Sequence, residues 1–132
     1  MGEVETTIVI TATFPANLPA NQKVYATMSV DPALPATGQL QVPVNEAWVL
    51  EDIFVSASQT PDTILEFFRN LAESVYKTAP VNGLIVTNPA RPRPKPVLYK
   101  GADIITITAQ NLAAIGASPA TVTAYAKIRR FR

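Results

Sequence analysis

A single antiparallel β-sandwich, either a jelly roll or a related Greek key, is the fold class that the sequence predicts. Three observations predict it. Apolar and polar residues alternate with a period of two in several segments, and turn signals recur at short intervals between them. No strand–helix–strand alternation, internal repeat or linker between two compositions occurs. The 132 residues fit one domain, 1–132, and suffice to bury a core. Charged residues make up only 16% of the chain, under the roughly 25% common in soluble domains. A weakly charged surface, covered in part by neighbouring subunits, is therefore expected.

Taken in order, residues 4–14 (VETTIVITATF) place Val4, Ile8, Ile10, Ala12 and Phe14 on one face. Glu5, Thr7, Thr11 and Thr13 fall on the other, as in a half-buried strand. PANLPAN (15–21) is a turn region, and KVYATMSV (23–30) alternates again through Val24, Ala26, Met28 and Val30. After the stiff DPALPATG (31–38), QLQVPV (39–44) reads as a short strand that Pro43 confines to an edge or an end. AWVLEDIFVS (47–56) is the most apolar strand, with Trp48, Leu50 and Phe54 on one side and Val49, Ile53 and Val55 on the other.

TPDTILEFFRNLAESVYK (60–77) has two readings. As one helix at about 61–77, Thr60 caps it, Pro61 takes the first helical position and Asp62 complements the dipole. Ile64, Leu65, Phe68, Leu71, Ala72 and Val75 then form one apolar stripe. As a hairpin, ILEFF and SVYK are strands joined through RNLAE, which lacks the glycine that a tight turn favours. Local signals favour the helix. Asn82-Gly83 then marks a turn before a strand at 84–87. In NPARPRPKPV (88–97), Pro89, Pro92, Pro94 and Pro96 impose extended or polyproline II backbone and remove ladder donors, so this stretch is not a central strand. VLYK, the turn GAD, the strand IITITAQ (104–110), the loop NLAAIGASPA and the strand TVTAYAKIRRF (121–131) complete the chain.

The chain has no cysteine and no histidine. Disulfides, thiolate metal sites, a thiol nucleophile and a Ser-His-Asp triad are thereby excluded within it. An enzyme would have to rest on carboxylates such as Glu51 and Asp52, which are adjacent on one strand and so point to opposite faces. The sequence reads as non-enzymatic and without a cofactor. MGEVETT is acidic and precedes no apolar stretch of the signal-peptide kind, and no apolar run approaches a membrane span. The compartment stays open.

The net charge of +1 conceals a polarity: residues 1–66 carry eight acids and one base, whereas residues 67–132 carry ten bases and two acids. Arg91, Arg93, Lys95 and Lys100, with Arg129, Arg130 and Arg132 at the end of the last strand, are the candidate interaction residues. They suit phosphate contact of an unspecific kind, or the acidic half of another copy, since a proline-stiffened arm loses little entropy on docking. In one packed domain the two halves can instead interleave and cancel. A carbohydrate-binding sandwich would need a planar row of exposed aromatics, for which Trp48, Tyr25, Tyr76 and Tyr99 are the candidates, with Trp48 expected in the core.

PVNEAWVLEDIFVSAS (43–58) presents a Pro-x-x-Glu-x-Trp entry into a long apolar strand. YKGADIITITAQ carries a Gly-x-Asp turn, and ATVTAYAKIRRF ends in a basic run. In these features, over roughly its last two thirds, the chain resembles small jelly-roll virion proteins, the coat or capsid-surface subunits of viruses that include those of archaea and bacteria. The resemblance implies a structural subunit that works by self-association without catalysis and is located in the virion. It also implies a hairpin at 63–77, in conflict with the helical stripe. The expectation carried forward is a homo-oligomeric building block, with a nucleic-acid-binding or carbohydrate-binding module as the alternative.

Overall fold

A computed structural model of the chain describes residues 3–30, 36–56, 63–78 and 97–132, with the side chains of residues 52 and 54–56 excepted. Among the described residues ten strands are formed, the strand expected at 84–87 lying outside them: β1 (Glu3–Phe14), β2 (Lys23–Tyr25), β3 (Thr27–Ser29), β4 (Leu40–Gln41), β5 (Ala47–Ser56), β6 (Thr63–Arg69), β7 (Glu73–Lys77), β8 (Val97–Lys100), β9 (Ile104–Asn111) and β10 (Ala120–Phe131). They build two antiparallel sheets. The first runs β3-β1-β10-β5-β8; the second runs β2-β9-β6-β7, with β4 also pairing β9. Among the described strands, each successive pair lies in different sheets except the β6–β7 hairpin. Such wrapping is that of a jelly roll, so the sandwich expected from the alternation is present. Among the described residues no helix is long and apolar enough to cross a membrane.

The period-two pattern builds the core directly. Ile8, Ile10, Ala12 and Phe14 of β1 face inward beside Val122, Ala124, Ala126 and Ile128 of β10, all nearly inaccessible. Leu65 and Phe67 of β6 and Ile105 and Ile107 of β9 close the core from the second sheet. The long β1–β10 ladder pairs Glu3 with Phe131 at one end and Phe14 with Ala120 at the other.

Three local expectations are corrected. KVYATMSV is not one strand but two: β2 pairs β9, β3 pairs β1, and the chain crosses between the sheets at Ala26. In β5 the register slips opposite Lys127 and Ile128, so Leu50 and Ile53, three apart, are both buried. A β-bulge beside Glu51 resets the alternation there, and Ile53 joins the face of Trp48 and Leu50 instead of opposing it.

The helix expected at about 61–77 is absent: over the described part of that range, 63–77, the chain is the β6–β7 hairpin. Asn70 (φ 53°) and Leu71 (φ 72°) both take left-handed conformations, and the Ala72 amide closes the turn on the Arg69 carbonyl at 3.3 Å. Two successive left-handed residues match the strand twist. Seven residues of β6 pair with β9, and that long-range ladder overrides a stripe which satisfied helical spacing by coincidence.

The β8–β9 corner is stitched to the segment after β4. Ala102 (φ 72°) donates its amide to the Val42 carbonyl at 2.8 Å, and Val42 donates to Asp103 at 2.9 Å. Gly101 passes so close to Val44 that a Cβ on it would lie 2.1 Å from the Val44 carbonyl oxygen. Asn70 joins the same corner, accepting from the Ile104 amide through Oδ1 at 2.9 Å.

Candidate functional site

The basic end of β10 is positioned by the Pro-x-x-Glu-x-Trp entry into β5. Glu46 donates its amide to the Pro43 carbonyl at 3.0 Å, a turn that aims its carboxylate across the sheet. Glu46 Oε1 accepts from Trp48 Nε1 at 2.8 Å and Arg130 Nε at 2.8 Å, and Oε2 accepts from Arg130 Nη2 at 2.9 Å. The Arg130 guanidinium also stacks on the buried Trp48 ring, 5.2 Å from its centroid. Arg132 approaches the same carboxylate at 3.6 Å. The hydrogen bond from Arg130 holds the Glu46 carboxyl down to about 2, against burial, with the Trp48 hydrogen bond and the charges of Arg130 and Arg132 assisting. The same pairing raises the pKa of Arg130.

Arg129 points to the outer face of the first sheet, where Glu51 at 2.6 Å and Glu3 at 3.0 Å flank it. Arg129, Arg130 and Arg132 are thus each held by carboxylates of the acidic first half of the same chain, the interleaved arrangement. Lys100 stands exposed on β8, its amide donating to Asp103 Oδ2 at 2.8 Å. Arg91, Arg93 and Lys95 lie outside the described residues. The structure therefore joins Arg130 and Arg132 through Glu46, turns Arg129 to Glu51 and Glu3 on the outer face, and sets Lys100 level with Phe131, with Ala47 of β5 between them. Among the described residues, no group of three or more carboxylates could hold a metal ion.

Of the aromatics weighed for sugar stacking, Trp48 and Tyr99 are buried, and Tyr76 is partly buried with its ring centroid 6.2 Å from that of Phe67. Only Tyr25 among the four is prominently exposed, at 76%. Burial pushes the Tyr99 phenol well above its ordinary range. Its ring carries Arg69 at 5.5 Å, and Arg69 also binds Glu73 at 3.0 Å and Asp103 at 3.5 Å.

A second feature is a groove on the outer face of the second sheet, which the sequence reading did not anticipate. Thr106 and Thr108 alternate with buried Ile105 and Ile107 and so face away from the core. Register places Phe68 beside Thr106, and both Glu66 and Tyr25 beside Thr108. Tyr25, Gly38, Gln39, Phe68, Leu71, Thr106 and Thr108 enclose a groove of about 390 Å³, within the size range of small-ligand and peptide-side-chain pockets. Its floor holds the Thr106 hydroxyl, which is buried and, among the described residues, has no hydrogen-bond partner. The alternation of β9 made the outward threonines legible. The groove itself depends on β2 and the β6–β7 turn, whose placement local pattern does not give. No protein-family model matches the chain, and no curated protein matches it either.

Proposed function

We propose that this chain is a non-enzymatic structural subunit that associates with copies of itself, as a virus-coat subunit does. The observation that carries the reading is where its apolar residues stand. Tyr25 and Leu71, 76% and 56% exposed, line one groove on the second sheet, and Val44, 78% exposed, stands against Gly101 at the β8–β9 corner. Exposed apolar side chains gathered in this way favour burial against a partner. The described arginines support it from the other side, because their carboxylate partners lie within the copy and little charge is left to repel a like surface. Contact between copies is then made by apolar faces and edge strands, in closed symmetry if a shell or ring is formed.

Light scattering over a concentration series, in low and in high salt, tests this reading. Growth from monomer to a defined oligomer is expected, and electron microscopy should resolve rings, shells or filaments. A monomer at every concentration in both salts overturns it.

A further inference from the structure

We infer that the groove over Thr106 receives the proline-cation stretch, residues 88–96, of a second copy. This rests on the self-association reading and names the contact through which it operates. Three independent features point to an occupant. First, the Thr106 hydroxyl is buried at the groove floor without a partner among the described residues, and a desolvated hydroxyl left unpaired is costly. Second, Leu71 holds a left-handed conformation (φ 72°) that favours glycine, yet presents a large apolar side chain to the groove at 56% exposure. Strain kept where a cheaper residue exists marks a functional position. Third, Tyr25 stands 76% exposed at the rim, with Phe68 further in.

The chemistry of the groove matches that of the stretch. Its walls are aromatic and aliphatic, and its polar groups include the hydroxyls of Thr106 and Thr108. A proline-rich segment is the complement: its rings are apolar, four of its residues have no amide hydrogen, and its carbonyls accept. Aromatic-lined grooves with a hydroxyl or indole donor recognise such segments because their backbone is already restricted. Pro89 and Pro92 are three apart in sequence, the spacing that repeats once per turn of a polyproline II helix. The cations of the stretch have a carboxylate at hand as well. Glu66, paired in register with Thr108, accepts from Ser74 at 2.6 Å through one oxygen and meets the exposed Lys23 at a loose 3.6 Å through the other, where an incoming Arg91 or Arg93 can take the place of the lysine.

The test is fluorescence anisotropy of a labelled synthetic peptide, residues 88–96, titrated with the full chain. The host carries Pro89→Ala, Pro92→Ala, Pro94→Ala and Pro96→Ala so that its own stretch does not compete, and cooperative unfolding confirms that it is folded. Saturable binding that survives 0.5 M salt is expected. Adding Thr106→Val, which keeps the shape and removes the hydroxyl, should weaken binding about 5–10-fold, and adding Tyr25→Ala at least as much. A peptide whose prolines are all alanine, with its cations intact, should bind at least tenfold more weakly.

Absence of saturation, indifference to Thr106→Val and Tyr25→Ala, or equal binding of the alanine peptide overturns the inference. Light scattering of the unaltered chain separates the two readings. Oligomers without peptide binding leave self-association standing and remove this contact, whereas peptide binding by a chain that stays monomeric removes self-association and, with it, the placement of the stretch on a second copy.

Discussion

Glu46 shows how one side chain can set both the geometry and the acid limit of the fold. It joins the entry of β5 to the end of β10 through Arg130, over the Trp48 ring. Its carboxyl is held at about 2 in the folded chain, against 4.5 ordinarily. A depressed folded pKa means that the unfolded chain takes up the proton first. The contribution is therefore complete above about pH 4.5 and lost as the pH falls towards 2. Glu46→Gln should lower stability at pH 7 by about 2 kcal/mol, since Arg130 keeps its partial burial without a charged partner. It should also flatten the acid limb between those two pH values in urea denaturation; an unchanged limb would refute the assignment. Gly101 is constrained differently. The Val44 carbonyl leaves no room for a Cβ, so Gly101→Ala must move backbone and should cost about 3 kcal/mol. A midpoint shift under 0.5 kcal/mol in the same assay would show that the corner yields easily.

At the scale of elements, the β6–β7 hairpin carries a conflict that a substitution can release. Its turn needs two left-handed residues and has Asn70 and Leu71. Asparagine accepts that conformation readily and leucine does not. Leu71→Gly relieves roughly 1–2 kcal/mol of strain and adds back part of it as unfolded-state entropy, for a net rise in Tm of about 2–4 °C. The same change removes an apolar wall of the groove, so thermal stability should rise while capture of the proline-rich peptide falls. A variant that binds the peptide as before would detach Leu71 from the contact. The hairpin also shows where the sequence was legible. Strands whose alternation spans ten or more residues, such as β1 and β10, were readable because only one face of each could enter the core. Residues 63–77 were not, because Ile64, Leu65, Phe68 and Leu71 satisfy helical spacing, and what decides against it is the ladder to β9 some forty residues away. Ala26 and the bulge at Glu51 were hidden for a related reason: a change of sheet or a reset of register costs only one residue in the pattern. Within the candidate site, the outward-facing threonines of β9 were visible and the groove over them was not, since Tyr25 and Leu71 meet them only through tertiary pairing.

For the molecule as a whole, the opposed charges of its two halves become a device for neutrality. Three acids of the first half reach bases of the second between neighbouring strands of the first sheet: Glu46 to Arg130 and Arg132, and Glu3 and Glu51 to Arg129. Electrostatic attraction between copies, or towards phosphate, would have to break these pairs first. Two consequences separate apolar association from charge-driven association. Screening weakens contacts between exposed charges at high ionic strength, whereas excluded salts such as sulfate strengthen apolar burial. The oligomer should therefore persist in 0.5 M sodium chloride and grow in 0.5 M ammonium sulfate, as read by sedimentation velocity. By the same reasoning, Arg129→Ala and Arg132→Ala should leave low-salt retention of duplex DNA on filters unchanged, because each guanidinium already faces a carboxylate of its own copy. Dissociation of the oligomer by sodium chloride alone would mean that the pairs open in solution and that charge holds the copies together. Loss of DNA retention in either arginine variant would instead show the end of β10 at work on phosphate.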